Sequence, residues 1–359
     1  MKKYSGIFIL AAVLVLPAQA HHSFTANFDM SRQIELRGTV VDFKLRSPHS
    51  SVVVDAISYI DGVAQQDAPQ RWEIESMATA GMRRMGVTGE TFKAGDSITI
   101  IGNPNRQPEF RFINSSNFTL ADGSSYNFRE SEPYQQAGEG AVAGVRGIDR
   151  LAGRWSSHGG FGNQMILPLS EQGRQAWDGY DAKQSPANTC EPMNFPDMFN
   201  APYLADLKFE DGAVVIYNQA WEVERRIPLD GKPVRPRLDG LFGVVRAHVD
   251  GEALVLESGG YIPSRWGIGS ATQKLGGGRD MPSSARKTLV ERFSVSADGN
   301  TLHYEYTISD PIYLTAPYSD GVDLVRVADS TPMYDYKCEL EAASMWSRTA
   351  DDPSLRVGD

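Results

Sequence analysis

The chain has 359 residues, with 35 basic against 45 acidic side chains and a formal charge of −10. Such acidity repels nucleic acid and anionic membrane surfaces unless a local patch reverses it. The length suffices for two domains with ordinary cores, and after the N-terminal apolar run no stretch is long enough to span a bilayer.

Lys2 and Lys3, an apolar run from Gly6 to Leu16 and the small-residue site Ala18-Gln19-Ala20 read as a secretory signal peptide over residues 1–20. Cleavage after Ala20 makes His21 the amino terminus, followed by His22-Ser23-Phe24, and takes the formal charge to −12. The expected location is periplasmic or secreted, with no transmembrane segment after processing. Cys190 and Cys338 are the only cysteines, so an oxidising compartment leaves them one intramolecular pairing. A disulfide is expected.

Residues 21–128 read as five strands and one helix. Ile34, Leu36, Gly38 and Val40 alternate on one face, then Val41, Phe43 and Leu45 take the other parity, which predicts a strand bent by a bulge. Val52, Val54 and Ala56 mark a second strand ending near the Asp61-Gly62 turn, and Trp72 and Ile74 a third. Ser76 is positioned to cap a short helix whose Met77, Gly81, Met82 and Met85 share a face, with Gly86 as its stop. Ile98 and Ile100 give the fourth strand, and Phe110 and Phe112 the fifth. This order is that of an OB-like five-stranded barrel.

Periodicity is lost over residues 129–150, which read as a linker. Residues 151–346 then read as antiparallel strands with turns at Asp211-Gly212, Asp230-Gly231, Asp250-Gly251 and Asp298-Gly299, and residues 347–359 as a C-terminal tail. A helix begins near Ser170 and places Ala176, Trp177 and Tyr180 on one side. Successive hairpins with few helices predict an antiparallel lipocalin-like barrel or sandwich, and Gly153-Arg154-Trp155 looks like the Gly-x-Trp that opens lipocalin-type barrels. Gly267 to Gly278 lacks the ending of a phosphate-binding loop and reads as a loop, either at a cavity mouth or as a plain surface connection.

His21-His22-Ser23-Phe24, Phe28-Asp29, Gly38-Thr39-Val40, Pro48-His49, Trp72-Glu73-Ile74-Glu75, Arg83-Arg84-Met85-Gly86, Lys93-Ala94-Gly95-Asp96 and Ala121-Asp122-Gly123 stand in this order in the first module. Together they resemble an uncharacterised family of exported bacterial proteins, a domain of unknown function whose mature chains begin His-His-Ser. The second module resembles a separate uncharacterised exported segment through Leu151 to Trp155, Leu169 to Tyr180, the Cys190 loop, Arg225-Arg226-Ile227, Leu229-Asp230-Gly231, Val290-Glu291-Arg292-Phe293 and Ile308-Ser309-Asp310-Pro311. Its relatives carry histidines where this chain has Lys232-Pro233-Val234 and Pro282-Ser283-Ser284. The resemblance implies no activity.

Three of the six histidines, His21, His22 and His49, crowd the start of the processed chain. The amine and ring of His21 together with His49 form a nitrogen-rich set of the histidine-brace kind, for which copper is the expected metal, with no other cofactor expected. The OB-like module carries ten basic and twelve acidic side chains, so the footprint for nucleic acid is missing. In the second module His303 and Glu305 share one strand face while Tyr304 and Tyr306 take the other. With the histidine face inward, His303, Glu305 and Arg292 or Glu291 form an acid/base set. With the tyrosine face inward, the interior is aromatic, as the continuation into Ile308 suggests.

Trp155, Trp221, Trp266, Tyr304 and Tyr306 are then candidate ligand contacts. Serine-elbow, zincin, P-loop and Rossmann motifs are absent. The expected function is an exported two-module binding protein for a small apolar ligand, copper or both. An isomerase, cyclase or hydrolase in the second barrel and an envelope protein-interaction scaffold are the alternatives, which makes a small molecule or an envelope protein the expected partner.

Overall fold

The computed structural model describes residues 27–128, 145–157, 166–269, 279–345 and 352–356. The expected signal peptide, His21, His22, most of the expected linker, the glycine-rich run beyond Gly269 and Trp346 lie outside the described residues. The chain is mainly β. A closed five-strand barrel is followed by a nearly closed antiparallel barrel of nine strands.

Strand β1 (Ile34–Lys44) buries Ile34, Leu36 and Val40, and its register against β2 (Ser50–Ile60) slips between Val40 and Asp42. That is the bulge the parity change predicts; it lets one strand pair with two others around a tight barrel. Gly38 is required at the crossing, because a Cβ there would stand 2.1 Å from the Asp55 carbonyl oxygen. Asp61 and Gly62, both with positive φ, turn the chain from β2 into β3 (Val63–Ala64).

Next come β4 (Gln70–Ser76), helix α1 (Thr79–Arg84), β5 (Ser97–Pro104), β6 (Phe112–Leu120) and β7 (Ser125–Asn127). The ring runs β1-β5-β6-β4-β2 and closes by β1 pairing β2, with β4 and β6 parallel, as an OB-like barrel requires. Leu36, Val52, Val54, Ile74, Ile100 and Phe118 fill it, and Met82 of α1 closes one end.

Two expectations need correction. Ser76 does not cap the helix: it pairs with Ser50 at the end of β4, so its backbone belongs to the sheet, and Ala78 precedes the helix without a side-chain cap. Gly86 does end the helix, at φ 80°. The fifth strand starts at Phe112 and not at Phe110, whose backbone instead bridges to Arg356 at the far end of the chain.

The second barrel begins with β8 (Gly153–Ser157), followed by helix α2 (Glu171–Asp178), β9 (Leu204–Glu210), β10 (Ala213–Asn218) and β11 (Val223–Pro228). The second half contains β12 (Val244–Asp250), β13 (Ala253–Gly259), the hairpin β14 (Ser264–Gly269) with β15 (Met281–Ser283), then β16 (Thr288–Val295), β17 (Thr301–Ser309) and β18 (Tyr318–Val327). Neighbours pair antiparallel in the order β11-β10-β9-β8-β18-β17-β16-β13-β12. The gap between β11 and β12 is bridged by Val234, which exchanges two backbone hydrogen bonds of 2.8 Å with Val245. The Asp-Gly sites behave as read: Gly212, Gly231, Gly251 and Gly299 all have positive φ. Ser170 caps α2, accepting from the Gly173 amide at 3.0 Å.

One end of this barrel is sealed by residues 147–151, a 3-10 turn, beneath fully buried Trp155. The Trp155 indole donates to the Leu151 carbonyl at 2.9 Å. The Arg326 guanidinium lies 4.1 Å from the Trp155 ring and donates to the carbonyls of Arg150, Ala152 and Gly299. Gly153 makes room for it: φ is 134°, and a Cβ would stand 2.2 Å from an Arg326 nitrogen. The Gly-x-Trp stretch therefore works as a seal.

The opposite end is covered by the chain between β8 and β9. Met193, Phe195, Met198 and Phe199 insert into the main core cluster and act as a plug. Cys190, just before the plug, is bonded to Cys338, which confirms the expected disulfide. Beyond β18 the chain returns to the first barrel as a strap containing helix α3 (Leu340–Ala343). Cys338 bridges Ser47, Arg46 pairs with Glu339 and Glu341, Lys44 pairs with Glu341, and Met345 packs with Phe28 and Phe112. The strap and its continuation to Arg356 thus cover loops that OB-like barrels commonly use for ligands.

Candidate functional site

Strand parity decides which side chains enter the second barrel. On β17, Leu302, Tyr304, Tyr306 and Ile308 are at most 3% exposed, whereas His303 and Glu305 face outward. On β16, Leu289, Glu291 and Phe293 point in, and Arg292 points out. The candidate acid/base set does not converge in a cavity. His303 Nδ1 sits 2.7 Å from Asp323, Arg292 Nη1 is 2.7 Å from Asp250, and Glu305 is exposed.

A different polar group occupies the interior. Arg225 of β11 reaches across to Glu291 of β16 with two parallel hydrogen bonds of 2.8 and 3.0 Å, and both side chains are at most 1% exposed. The Tyr304 hydroxyl donates to the same carboxylate at 3.0 Å. Burial, reinforced by the Glu291 charge, holds the Tyr304 phenol well above its ordinary pKa, so it stays a donor. Burial raises the Tyr306 and Tyr261 phenols as well.

The plug rests directly on this cluster. The Phe195 ring lies 3.5 Å from the Arg225 guanidinium carbon, and the Phe199 ring 4.5 Å from the Tyr304 ring. A guanidinium against an aromatic face is an attractive arrangement, strengthened where water is excluded. Among the described residues Arg225 Nε finds no hydrogen-bond partner. The crevice lined by Met198, Phe199, Leu204, Asn218, Ala220 and Leu324 has no room for a water molecule. Entry of any ligand here requires the plug to move.

Lys287 adds a second buried cation. Its ammonium donates to the carbonyls of Phe195, at 2.7 Å, and of Gly267, and lies 4.5 Å from the centre of the Tyr261 ring. One side chain thereby joins the plug, β14 and β16. Burial brings its pKa down to about 7, against the attraction of Glu291, Asp197 and Asp310.

The candidate ligand contacts do not form one set. Tyr304 and Tyr306 stand 5.8 Å apart inside the barrel. Trp155 lies at the sealed end with Leu151. Trp221 and Trp266 meet edge to face at 6.0 Å, and Trp221 also stacks on Tyr336 of the strap. Trp221 and Glu222 both hold positive φ, an uncommon strain for residues with side chains.

In the first barrel His49 places Nδ1 3.3 Å from Glu75, whose side chain is 1% exposed. Desolvation lowers the imidazole pKa to about 4, leaving the ring neutral at pH 7. His21 and His22 lie outside the described residues, and among the described residues no three His, Cys, Asp or Glu side chains converge as a metal site.

Residues 10–111 match DUF6152, a family of unknown function. The match covers the barrel up to the start of β6, and bears out the likeness of the first module to an uncharacterised family. DUF6152 carries no activity to transfer. No curated protein and no solved structure matches the chain.

Arg225, Glu291 and Lys287 were within reach of the sequence. Val223 and Ile227 set the parity that turns Arg225 inward, and Leu289 and Phe293 do the same for Glu291 and Lys287.

Proposed function

We propose that the protein is an exported two-module binding protein whose second barrel takes a small, mostly apolar molecule. The polar end of that molecule meets the Arg225, Glu291 and Tyr304 cluster. The observation that carries this reading is a fully buried ion pair beside a core cluster of Leu, Val, Ile and aromatic side chains. Such a pair stabilises a fold little better than apolar residues of the same volume, so its presence suits recognition better than folding. The Phe195 ring against Arg225 and the Phe199 ring against Tyr304 support this reading, since a ligand ring would make the same kind of contact on displacing the plug. No helix among the described residues is long and apolar enough to cross a membrane, and the disulfide suits an oxidising compartment.

Cuminyl alcohol, an apolar ring with one hydroxyl, is a suitable probe for calorimetric titration. Binding is expected with a negative heat-capacity change, the mark of apolar burial, and Tyr304→Phe is expected to weaken it about tenfold, or about 1.4 kcal/mol. Absence of heat at every temperature, with thermally intact protein, contradicts the reading.

Copper binding at the processed amino terminus is a second reading, favoured by Glu75. A buried carboxylate 3.3 Å from Nδ1 supports it, because a metal-bound imidazole commonly has a carboxylate at the nitrogen that does not ligate, which leaves Nε2 for the metal. Copper titration of processed protein followed by electron paramagnetic resonance is expected to show nitrogen couplings that His49→Ala and His21→Ala each remove. An unchanged spectrum in both variants excludes the brace.

A further inference from the structure

Lys287 lacks what buried lysines ordinarily have. Among the described residues no carboxylate forms an ion pair with it: Glu291 is taken by Arg225 and Tyr304, and Asp310 accepts from Ser284 and Ile312. Its side chain is fully buried, and its nitrogen is held by two backbone carbonyls and the face of Tyr261. An ammonium without a counter-ion in such a place is costly, and a methionine would fill the same volume without that cost. One of its two carbonyl partners belongs to the plug, so displacement of the plug by a ligand presents the amine to whatever enters.

We infer that Lys287 condenses with an apolar aldehyde admitted to the second barrel, forming an imine at Nζ. The inference rests on the ligand-binding reading above and names the class of ligand. In the reaction the amine nitrogen adds to the carbonyl carbon to give a carbinolamine, and the nitrogen–carbon double bond then forms as the former carbonyl oxygen leaves as water. Both amine protons end on that water, and no oxidant or reductant is needed. Desolvated lysines in apolar pockets are the ones that perform this chemistry.

The groups facing Lys287 set its protonation. Glu291 of β16, Asp197 in the plug and Asp310 after β17 favour the ammonium; burial opposes them and prevails, bringing the pKa to about 7. The adjacent Tyr261 phenol stays neutral, and Arg225 is neutralised by Glu291. At pH 8 most of the buried amine is therefore uncharged.

The test uses cuminaldehyde with cyanoborohydride on the full chain, followed by peptide mapping. One reduced adduct on Lys287 is expected at pH 8, falling at least fivefold at pH 5.5, suppressed by excess cuminyl alcohol and absent from Lys287→Arg. The wild-type pH profile and the competition read the same claim should that variant fail to fold. Adducts confined to surface lysines, with cuminyl alcohol still bound in calorimetry, overturn the imine and leave the binding reading standing. Failure of both aldehyde and alcohol overturns both.

Discussion

Arg225→Met is expected to destabilise the protein by about 3–5 kcal/mol, because it leaves the Glu291 carboxylate buried without its cation. Adding Glu291→Leu and Tyr304→Phe removes the stranded charge and the hydroxyl that pointed at it. The triple variant is expected to recover most of the loss, measured by urea unfolding with unchanged slope. Such recovery separates the two possible meanings of the cluster. If these groups serve recognition, the triple variant folds about as well as the wild type and no longer binds the alcohol probe. If they serve the fold, each added substitution lowers the midpoint further.

Cys190→Ser with Cys338→Ser is the second large effect. The bond closes a loop across 148 positions, for which chain entropy gives about 5 kcal/mol; measured losses for native disulfides span about 2–5 kcal/mol. The consequence extends beyond stability, because Cys190 adjoins the plug and Cys338 lies in the strap on the first barrel. Removing the bond is expected to raise amide exchange in both 190–199 and 334–345, whereas loss of protection in one segment alone argues against the linkage.

Acid attacks the same strap. Hydrogen bonds from Arg46 and Lys44 hold the Glu341 carboxyl down at about 2, below its ordinary 4.5. Its contribution is therefore complete above pH 4.5 and is lost as pH falls from 4.5 towards 2. Protection factors at residues 338–345, exchange rates divided by the intrinsic rate at each pH, are expected to fall across that window in the wild type and to be flat in Glu341→Gln.

Much of the architecture was legible because it rests on local rules. The parity change at Val40 and Val41 announced the bulge, the Asp-Gly pairs announced the turns, and Tyr304, Tyr306 and Ile308 announced which face of β17 is inside. What could not be read depends on distant partners. Ser76 has the chemistry of a helix cap, but Ser50 claims its backbone for a sheet. Phe110 has the look of a strand residue, but its pairing partner is Arg356, far along the chain.

The buried polar cluster was hidden for a related reason. Polar residues flanking the tyrosines drew attention to His303, Glu305 and Arg292, which pair with Asp323 and Asp250 or meet solvent on the outside. Applying the same alternation to Val223 through Ile227 and to Leu289 through Phe293 turns Arg225 and Glu291 inward. That they face each other depends on the closure of nine strands, which short-range pattern does not contain. The plug is harder still: Met193 to Phe199 is rich in apolar residues and reads as a loop, and only the barrel mouth gives those side chains a destination.

Native mass spectrometry of the protein recovered from its own cell, beside the Arg225→Met, Glu291→Leu, Tyr304→Phe variant recovered in the same way, tests the central claim most directly. The account predicts a bound small molecule on the wild type that the folded triple variant lacks. Wild-type protein with nothing bound, or the same molecule retained by the triple variant, contradicts it.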